Sequence, residues 1–357
     1  RSLFNLLSKM KDRYEFTVIS LGNDGVYGKK IRNLGIPVYF FDFRKNLTSF
    51  LKFVKLMNLV RDIKPDLIQG WMYHGNLVSY FAQKSLKDNP ALAWNIRHSL
   101  YSLSLEKSAT RQIIRLNKLF SNKPNIIFYN SDLSKLQHED FGFSYKNSVI
   151  NYNGFDINDF KPNIGLTQFY RDQLNVKTDA KVVGHIARFH PMKNHAGFIA
   201  AAIEILETHD DVIFILAGTD VTKDNYALTK LIPKNLICNF RFMGEHADIK
   251  NIMYAMDLFC LSSSWGEGFP NVLGEAMSLG IPCVTTDIAQ CADIVGSEGV
   301  VVPPNDIKAL VNELKKILKL SKSDIKKLSN KSRKRIIDNF SLDMTVLKYQ
   351  EYYDKYL

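Results

Sequence analysis

The segment from Ser262 to Pro282 sets two carboxylates, Glu267 and Glu275, on either side of the turn residues Gly268, Phe269, Pro270 and Asn271. It follows an apolar run, Leu258-Phe-Cys-Leu-Ser, and leads through Val272 into a helical stretch that Gly280 should stop. A helix opening at such a turn presents backbone N–H groups, which bind phosphate or sugar oxygen. Carboxylates are poor phosphate ligands and good acceptors for hydroxyls, so the pair suits a ligand that is part phosphate and part polyol. The competing reading is a solvated helix start with an acidic first turn. Two glutamates alone carry little; the Gly-Phe-Pro-Asn and Glu-Ala-Met-x-x-Gly-x-Pro around them make the segment specific.

Two cations belong with it. Arg188 and Lys193 follow the apolar run Lys181-Val-Val-Gly-His-Ile-Ala, at a strand end that should open toward a ligand. Charge developing on a departing diphosphate is where such cations stabilise most. His98, in Trp94-Asn-Ile-Arg-His-Ser, also lies just beyond a strand, and a neutral imidazole can exchange one hydrogen bond with a hydroxyl. A hydrogen-bonded loop histidine remains an open alternative. His74, with Asn76 after it, ranks below as an acceptor-side candidate. His185, His190 and His195 are not read as a metal set, because 185 and 190 are expected on opposite strand faces. No Asp-x-Asp, Gly-x-Gly-x-x-Gly, Walker loop or Gly-x-Ser-x-Gly occurs, so metal-held diphosphate, dinucleotide and hydrolase chemistries lack their usual residues.

Glu267 and Glu275 resemble the E-x7-E motif of retaining glycosyltransferases with the GT-B fold, specifically glycosyltransferase family 4, the glycosyl transferases group 1 domain. The resemblance covers nearly the whole chain. The stretch from Gly184 to His195 is similar to the family's donor-phosphate segment, with Arg188 and Lys193 as its basic pair. Phe242 and Met243 resemble its nucleotide-base loop, and Tyr152-Asn-Gly-Phe-Asp its interdomain segment. Gly70-Trp-Met-Tyr-His-Gly-Asn and Ile96-Arg-His-Ser are similar to members acting in O-antigen and capsule polysaccharide synthesis. The resemblance implies that Arg188 and Lys193 hold the donor diphosphate, Glu275 the ribose, and Glu267 with His98 the donor sugar. It further implies a UDP-sugar donor, a saccharide acceptor on a polyprenyl diphosphate, retention of configuration and no metal or other cofactor.

The elements that must position these residues alternate along the chain. Glu15–Leu21, Val38–Phe41, Asp66–Gln69, Leu92–Ile96 and Ile126–Tyr129 read as short buried strands, with helices over Leu47–Asp62 and Asn76–Ser85. The second half repeats the pattern, with strands at Lys181–Ala187, Val212–Gly218, Leu258–Ser262 and Pro282–Thr286. Its helices are Ala196–Glu207, Val272–Leu279 and Ile307–Lys319. This predicts an α/β protein of two Rossmann-like doubly wound domains facing across a cleft. The Asn-, Asp-, Gly- and Pro-rich stretch 150–165 is the linker, giving domains 1–152 and 153–340, with 341–357 crossing back onto the first. The chain starts within an amphipathic helix where such a domain opens with a strand and a glycine-rich turn; about 15 residues are expected to precede it.

A chain of 357 residues exceeds one ordinary core, which agrees with two domains. Cys260 and Cys283 lie in apolar strands and read as buried free thiols, suiting a reducing cytoplasm. Of the net charge of +11, the first 150 residues supply 23 Lys and Arg against 11 Asp and Glu; the remainder is nearly balanced. Phe50-Leu-Lys-Phe-Val-Lys-Leu-Met and Arg111-Gln-Ile-Ile-Arg-Leu-Asn-Lys-Leu-Phe interleave these cations with apolar residues. On helices they suit an anionic membrane surface, or else a solvated basic face over an apolar one. A cytoplasmic location, peripheral on the inner face of the membrane, and no nucleic-acid partner are expected. The alternative is a non-catalytic basic α/β protein binding nucleic acid or a membrane.

Overall fold

The computed structural model describes residues 1–43, 49–246 and 248–357. The chain divides into two compact units, one of Arg1–Gly154 with Leu342–Leu357 and the other of Phe155–Ser341.

The first unit carries its strands in two parallel ladders. One pairs β1 (Val18–Ser20) with β2 (Val38–Phe40); the other runs in the order β3 (Leu67–Trp71), β4 (Ala91–Ile96), β5 (Ile126–Tyr129), β6 (Ser148–Ile150). Alternation along the strands explains how both faces are covered. Leu92, Trp94 and Ile96 point with Ile127 and Tyr129 into one cluster, capped by Tyr73 and Ile114. Ala93 and Phe128 point the other way, against Leu6, Met10 and the final helix Leu342–Asp354, which inserts Leu342, Val346, Tyr349 and Tyr353. The helix expected from Leu47 runs over Ser49–Ile63, and Leu47 and Thr48 lie outside the described residues. The helix expected at Asn76 starts earlier, at Met72, directly on the end of β3.

The second unit is one six-stranded parallel sheet in the order β12 (Val300–Val302), β11 (Cys283–Thr286), β10 (Leu258–Leu261), β7 (Val182–Ile186), β8 (Ile213–Ala217), β9 (Phe240–Phe242). Its four inner strands are almost wholly buried, which is why they read as unbroken apolar runs. The helices His195–Leu206 and Ile307–Leu318 pack one face through Phe198, Ala202, Ile205, Leu310 and Leu314. Because every strand runs parallel, all six carboxyl ends, with the loops that follow, lie along one edge.

Candidate functional site

β7 and β10 are neighbours in register, Val183 opposite Leu258 and Gly184 opposite Phe259, so their loops emerge side by side. After β7 the chain makes a single 3-10 turn, Pro191–Lys193, and Asn194 then takes a left-handed conformation (φ +51°), which Asn tolerates better than most residues. Asn194 also caps the following helix, its Oδ1 accepting the Gly197 N–H at 3.0 Å. This turn carries Lys193. The β10 loop is tied to it, the Ser264 N–H donating to Met192 O at 2.8 Å and Ser262 Oγ to Lys193 O at 3.3 Å.

Lys193 and Glu267 therefore meet. Lys193 Nζ donates to Glu267 Oε1 at 2.5 Å, and Ser263 Oγ donates to the same oxygen at 2.5 Å. Glu267 is 5 % exposed, so its charge is balanced by contact rather than by water. Thr286 Oγ1, from the end of β11, donates to Ser263 O at 2.6 Å and fixes the serine that holds the glutamate.

The helix Asn271–Ser278 starts at this loop with Pro270 at its N-cap, a residue without a side-chain acceptor. It ends as its sequence requires. Gly280 sits at φ +74°, its N–H donating to Met277 O and that of Ile281 to Ala276 O. Glu275 lies on this helix and is buried. Gly274, the residue before it, has no room for a side chain, since a Cβ there would come within 2.1 Å of the Phe155 ring. Phe269 is itself buried, its ring stacked on Phe155 at 6.1 Å and edge-on to Phe340 at 5.8 Å. It anchors the turn in the core; of the residues from Gly268 to Val272, Phe269 and Pro270 are buried, while Asn271 is exposed.

Arg188 is exposed just past β7, its guanidinium meeting Met192 Sδ at 3.7 Å. Phe242 and Met243 lie half-buried at the carboxyl end of β9, two strands away from β7 on the same sheet edge. The structure thus brings Lys193, Glu267 and the start of the Glu275 helix together, and sets Arg188, Phe242 and Met243 along the same row of strand ends.

The histidines fall differently from expectation. His190 is not on a strand; it caps the 3-10 turn, its Nδ1 accepting the Met192 N–H at 3.2 Å. His185 and His195 are buried with ring centroids 4.7 Å apart. Burial holds His185 well below the ordinary imidazole value and lowers His195 to about 4, so both are neutral beside Lys193. Among the described residues, no three His, Cys, Asp or Glu side chains converge to hold a metal ion. Cys260, Cys283 and Cys291 are buried free thiols, raised by desolvation, that of Cys291 to about 12.

In the first unit, His98 follows β4 and its Nε2 lies 2.8 Å from Glu106 Oε1. His74 is exposed on the helix Met72–Lys84. Asn76, on the same helix, is fully buried, and its Oδ1 accepts the Asn95 N–H at 3.3 Å. That contact stitches the helix to β4 and removes Asn76 from the surface where an acceptor would be met. Sequence reasoning did not find Ser263, Thr286 or Glu106, whose types are common and whose partners are set by loop geometry.

Residues 167–339 match the family model for glycosyl transferases group 1. The chain is 26 % identical to the Escherichia coli UDP-Gal:alpha-D-GlcNAc-diphosphoundecaprenol alpha-1,3-galactosyltransferase, over 84 % of this chain and 78 % of that one. It is 23 % identical to the Campylobacter jejuni N,N'-diacetylbacillosaminyl-diphospho-undecaprenol alpha-1,3-N-acetylgalactosaminyltransferase, over 98 % and 94 % of the two chains. Among solved structures, Anabaena HepE in complex with UDP superposes with a TM-score of 0.83 at 23 % identity, covering 99 % of this chain and 95 % of that one. A Rickettsia africae glycosyltransferase gives a TM-score of 0.84 at 19 % identity, covering 100 % and 94 %.

Proposed function

We propose, from the premise that this chain is a GT-B glycosyltransferase with a glycosyl transferases group 1 domain over residues 167–339, that it moves a sugar from a UDP-sugar to a saccharide on a polyprenyl diphosphate. The product would serve assembly of a surface polysaccharide of the O-antigen or capsule type, with anomeric configuration retained. The observation that carries this reading is the cluster of half-buried Lys193 with buried Glu267 and Ser263 at adjacent strand ends, beside a helix start. A cation and a carboxylate at one point suit a ligand in which a diphosphate adjoins hydroxyls, as in a nucleoside diphosphate sugar. The lipid-linked acceptor is supported by the two relatives named above, each of which acts on a diphospho-undecaprenol saccharide.

In this mechanism Arg188 and Lys193 neutralise the charge that builds on the β-phosphate as the bond to the sugar breaks. Because these side chains supply the positive charge, the reading needs no metal and no cofactor. Glu267 accepts hydrogen bonds from sugar hydroxyls, Glu275 takes the ribose, and Phe242 with Met243 packs the base. The N–H groups around Gly268 to Val272 face the phosphates, and His98 hydrogen-bonds the donor sugar. The acceptor hydroxyl bonds to the anomeric carbon on the face the diphosphate leaves, and its proton passes to the departing phosphate oxygen. No side chain is assigned as a nucleophile.

A peripheral membrane location follows from the acceptor and is supported by the first unit's surface. Phe50, Leu51, Phe81 and Leu119 are exposed, alongside the exposed cations Lys55, Lys84, Arg115 and Lys118. Among the described residues, no helix is long and apolar enough to cross a membrane. The decisive experiment is calorimetry against a panel of nucleoside diphosphate sugars, then turnover with a membrane-extracted lipid-linked acceptor and NMR of the product's anomeric centre. Binding of one UDP-sugar and transfer with retention is expected; failure to bind any nucleoside diphosphate would sink the proposal.

A further inference from the structure

We propose that Glu106 is a positioning residue for transfer: it fixes the ring orientation and tautomer of His98, so that Nδ1 is the nitrogen offered to substrate. The inference rests on the reading above that His98 takes part in the reaction.

Glu106 Oε1 lies 2.8 Å from His98 Nε2, with both side chains partly sheltered, 22 % and 39 % exposed. A carboxylate accepts, so Nε2 carries the hydrogen, and in the neutral ring the lone pair is then on Nδ1. Nδ1 makes no hydrogen bond to another residue among those described. Everything else about His98 is already held. Ser134 Oγ donates to its carbonyl at 2.6 Å. Ser134 is fixed in turn, since its N–H donates to the N-cap Ser131 Oγ and its carbonyl accepts His138 Nδ1–H at 2.6 Å. With Nδ1 protonated, His138 Nε2 accepts the Tyr73 hydroxyl at 2.7 Å. The Tyr73 ring then meets the His98 ring edge-on at 6.1 Å, which closes the circuit. The peptide and one wall are thereby fixed, and the remaining freedom is rotation and tautomer of the imidazole, which Glu106 removes. The 3-10 turn Leu103–Leu105, capped by Ser102, returns the chain so that Glu106 reaches back to His98. A partly exposed ion pair contributes little stability by itself, about 0–1 kcal/mol. Orienting a ring whose other contacts are all in place is a use that its small stabilising effect does not limit.

The test uses the full chain with His98→Ala, Glu106→Ala, Glu106→Gln and the double alanine variant. It measures transfer kinetics, UDP affinity and histidine 15N NMR, with the His98→Ala spectrum assigning the signal. Glu106→Ala is expected to lower kcat about tenfold with UDP affinity unchanged. Glu106→Gln, whose amide oxygen still accepts from Nε2, is expected to keep the rate within about threefold. Glu106→Ala should add nothing in the His98→Ala background. The His98 signal should show the Nε2–H form in the parent chain and Glu106→Gln, and a tautomer mixture in Glu106→Ala. Equal slowing by Glu106→Ala in both backgrounds, or an unchanged rate and tautomer, overturns the proposal while leaving His98's own role intact. An unchanged rate in His98→Ala overturns both.

Discussion

Lys193 Nζ and Glu267 Oε1 are 2.5 Å apart, although 74 residues separate them in the chain, and their side chains are only 17 % and 7 % exposed. Each was assigned from the sequence to a different part of the ligand, the lysine to phosphate and the glutamate to sugar. Their pairing puts the two residues at one place. The glutamate fixes the ammonium, and Ser263 Oγ holds the same carboxylate oxygen. A buried pair of this kind is easily broken and hard to replace, because removing one partner leaves the other charge uncompensated.

Lys193→Met should therefore destabilise the second unit by about 3 kcal/mol, in the range found for breaking buried pairs. Adding Glu267→Gln should restore most of that loss, since the orphaned charge is gone, while transfer stays abolished in both variants. Urea unfolding and turnover on the same preparations check this. Additive destabilisation would show that the pair is not the unit described.

Arg188→Ala separates binding from folding. The guanidinium is exposed and its hydrogen-bond contact is a sulfur at 3.7 Å, so stability should change by no more than about 0.5 kcal/mol. A charge-assisted contact to phosphate is worth about 1.5–3 kcal/mol, so affinity for the nucleoside diphosphate should fall about 10- to 100-fold. Calorimetry with UDP reads this directly, and unchanged affinity would remove Arg188 from the donor site.

Much of this architecture is legible in the residues. The inner strands were readable because burial on both faces leaves apolar runs such as Val212–Gly218, and the Glu275 helix because Gly280 marks its end. The edge strands β6, β9 and β12 were not read, being three residues each and half-covered, with no periodic signal. The helix Lys322–Phe340 escaped because it is mostly polar and charged, burying only Ser332, Ile336 and Phe340. Within the site, the glutamates and basic pair stood out by motif. Ser263, Thr286 and Glu106 did not, because their roles depend on which loops a parallel sheet brings side by side. Phe269 and Asn76 show the converse, polar or aromatic residues in suggestive segments that the fold spends on its own packing.

Acid should weaken the first unit through His138. Burial lowers its pKa from 6.5 to about 4. Between those values the unfolded chain binds the proton and the folded chain does not, so this group's effect leaves stability full above pH 6.5 and lowers it as pH falls toward 4. A shift of this size removes about 3 kcal/mol over that window. Trp94 lies in the same core cluster as Tyr73 and reports this unit. Urea midpoints followed by its fluorescence should fall from pH 7 to 4.5, and less steeply in His138→Gln. An equal slope in the variant would assign the acid sensitivity elsewhere.

The exposed apolar and basic residues of the first unit lead to a prediction about membranes. Helices Ser49–Ile63, Met72–Lys84 and Ser108–Phe120 are joined through their aromatic rings, Phe53 to Phe81 at 6.5 Å and Phe81 to Phe120 at 6.1 Å. Each of these three contacting helices carries an exposed apolar residue, Phe50, Phe81 and Leu119. Apolar burial and attraction to anionic headgroups act together at such a surface, and each Lys or Arg near it contributes about 1 kcal/mol. Sedimentation with vesicles containing anionic lipid should pull the protein down at low salt, and salt should release it. Phe50→Ser with Leu119→Ser should weaken binding at every salt concentration, whereas Lys55→Gln with Lys118→Gln should chiefly reduce the salt dependence. Neither pair lies in the donor set, so UDP affinity should be unchanged in both. Equal recovery with neutral and anionic vesicles would mean that the positive excess of the first 150 residues serves some other purpose.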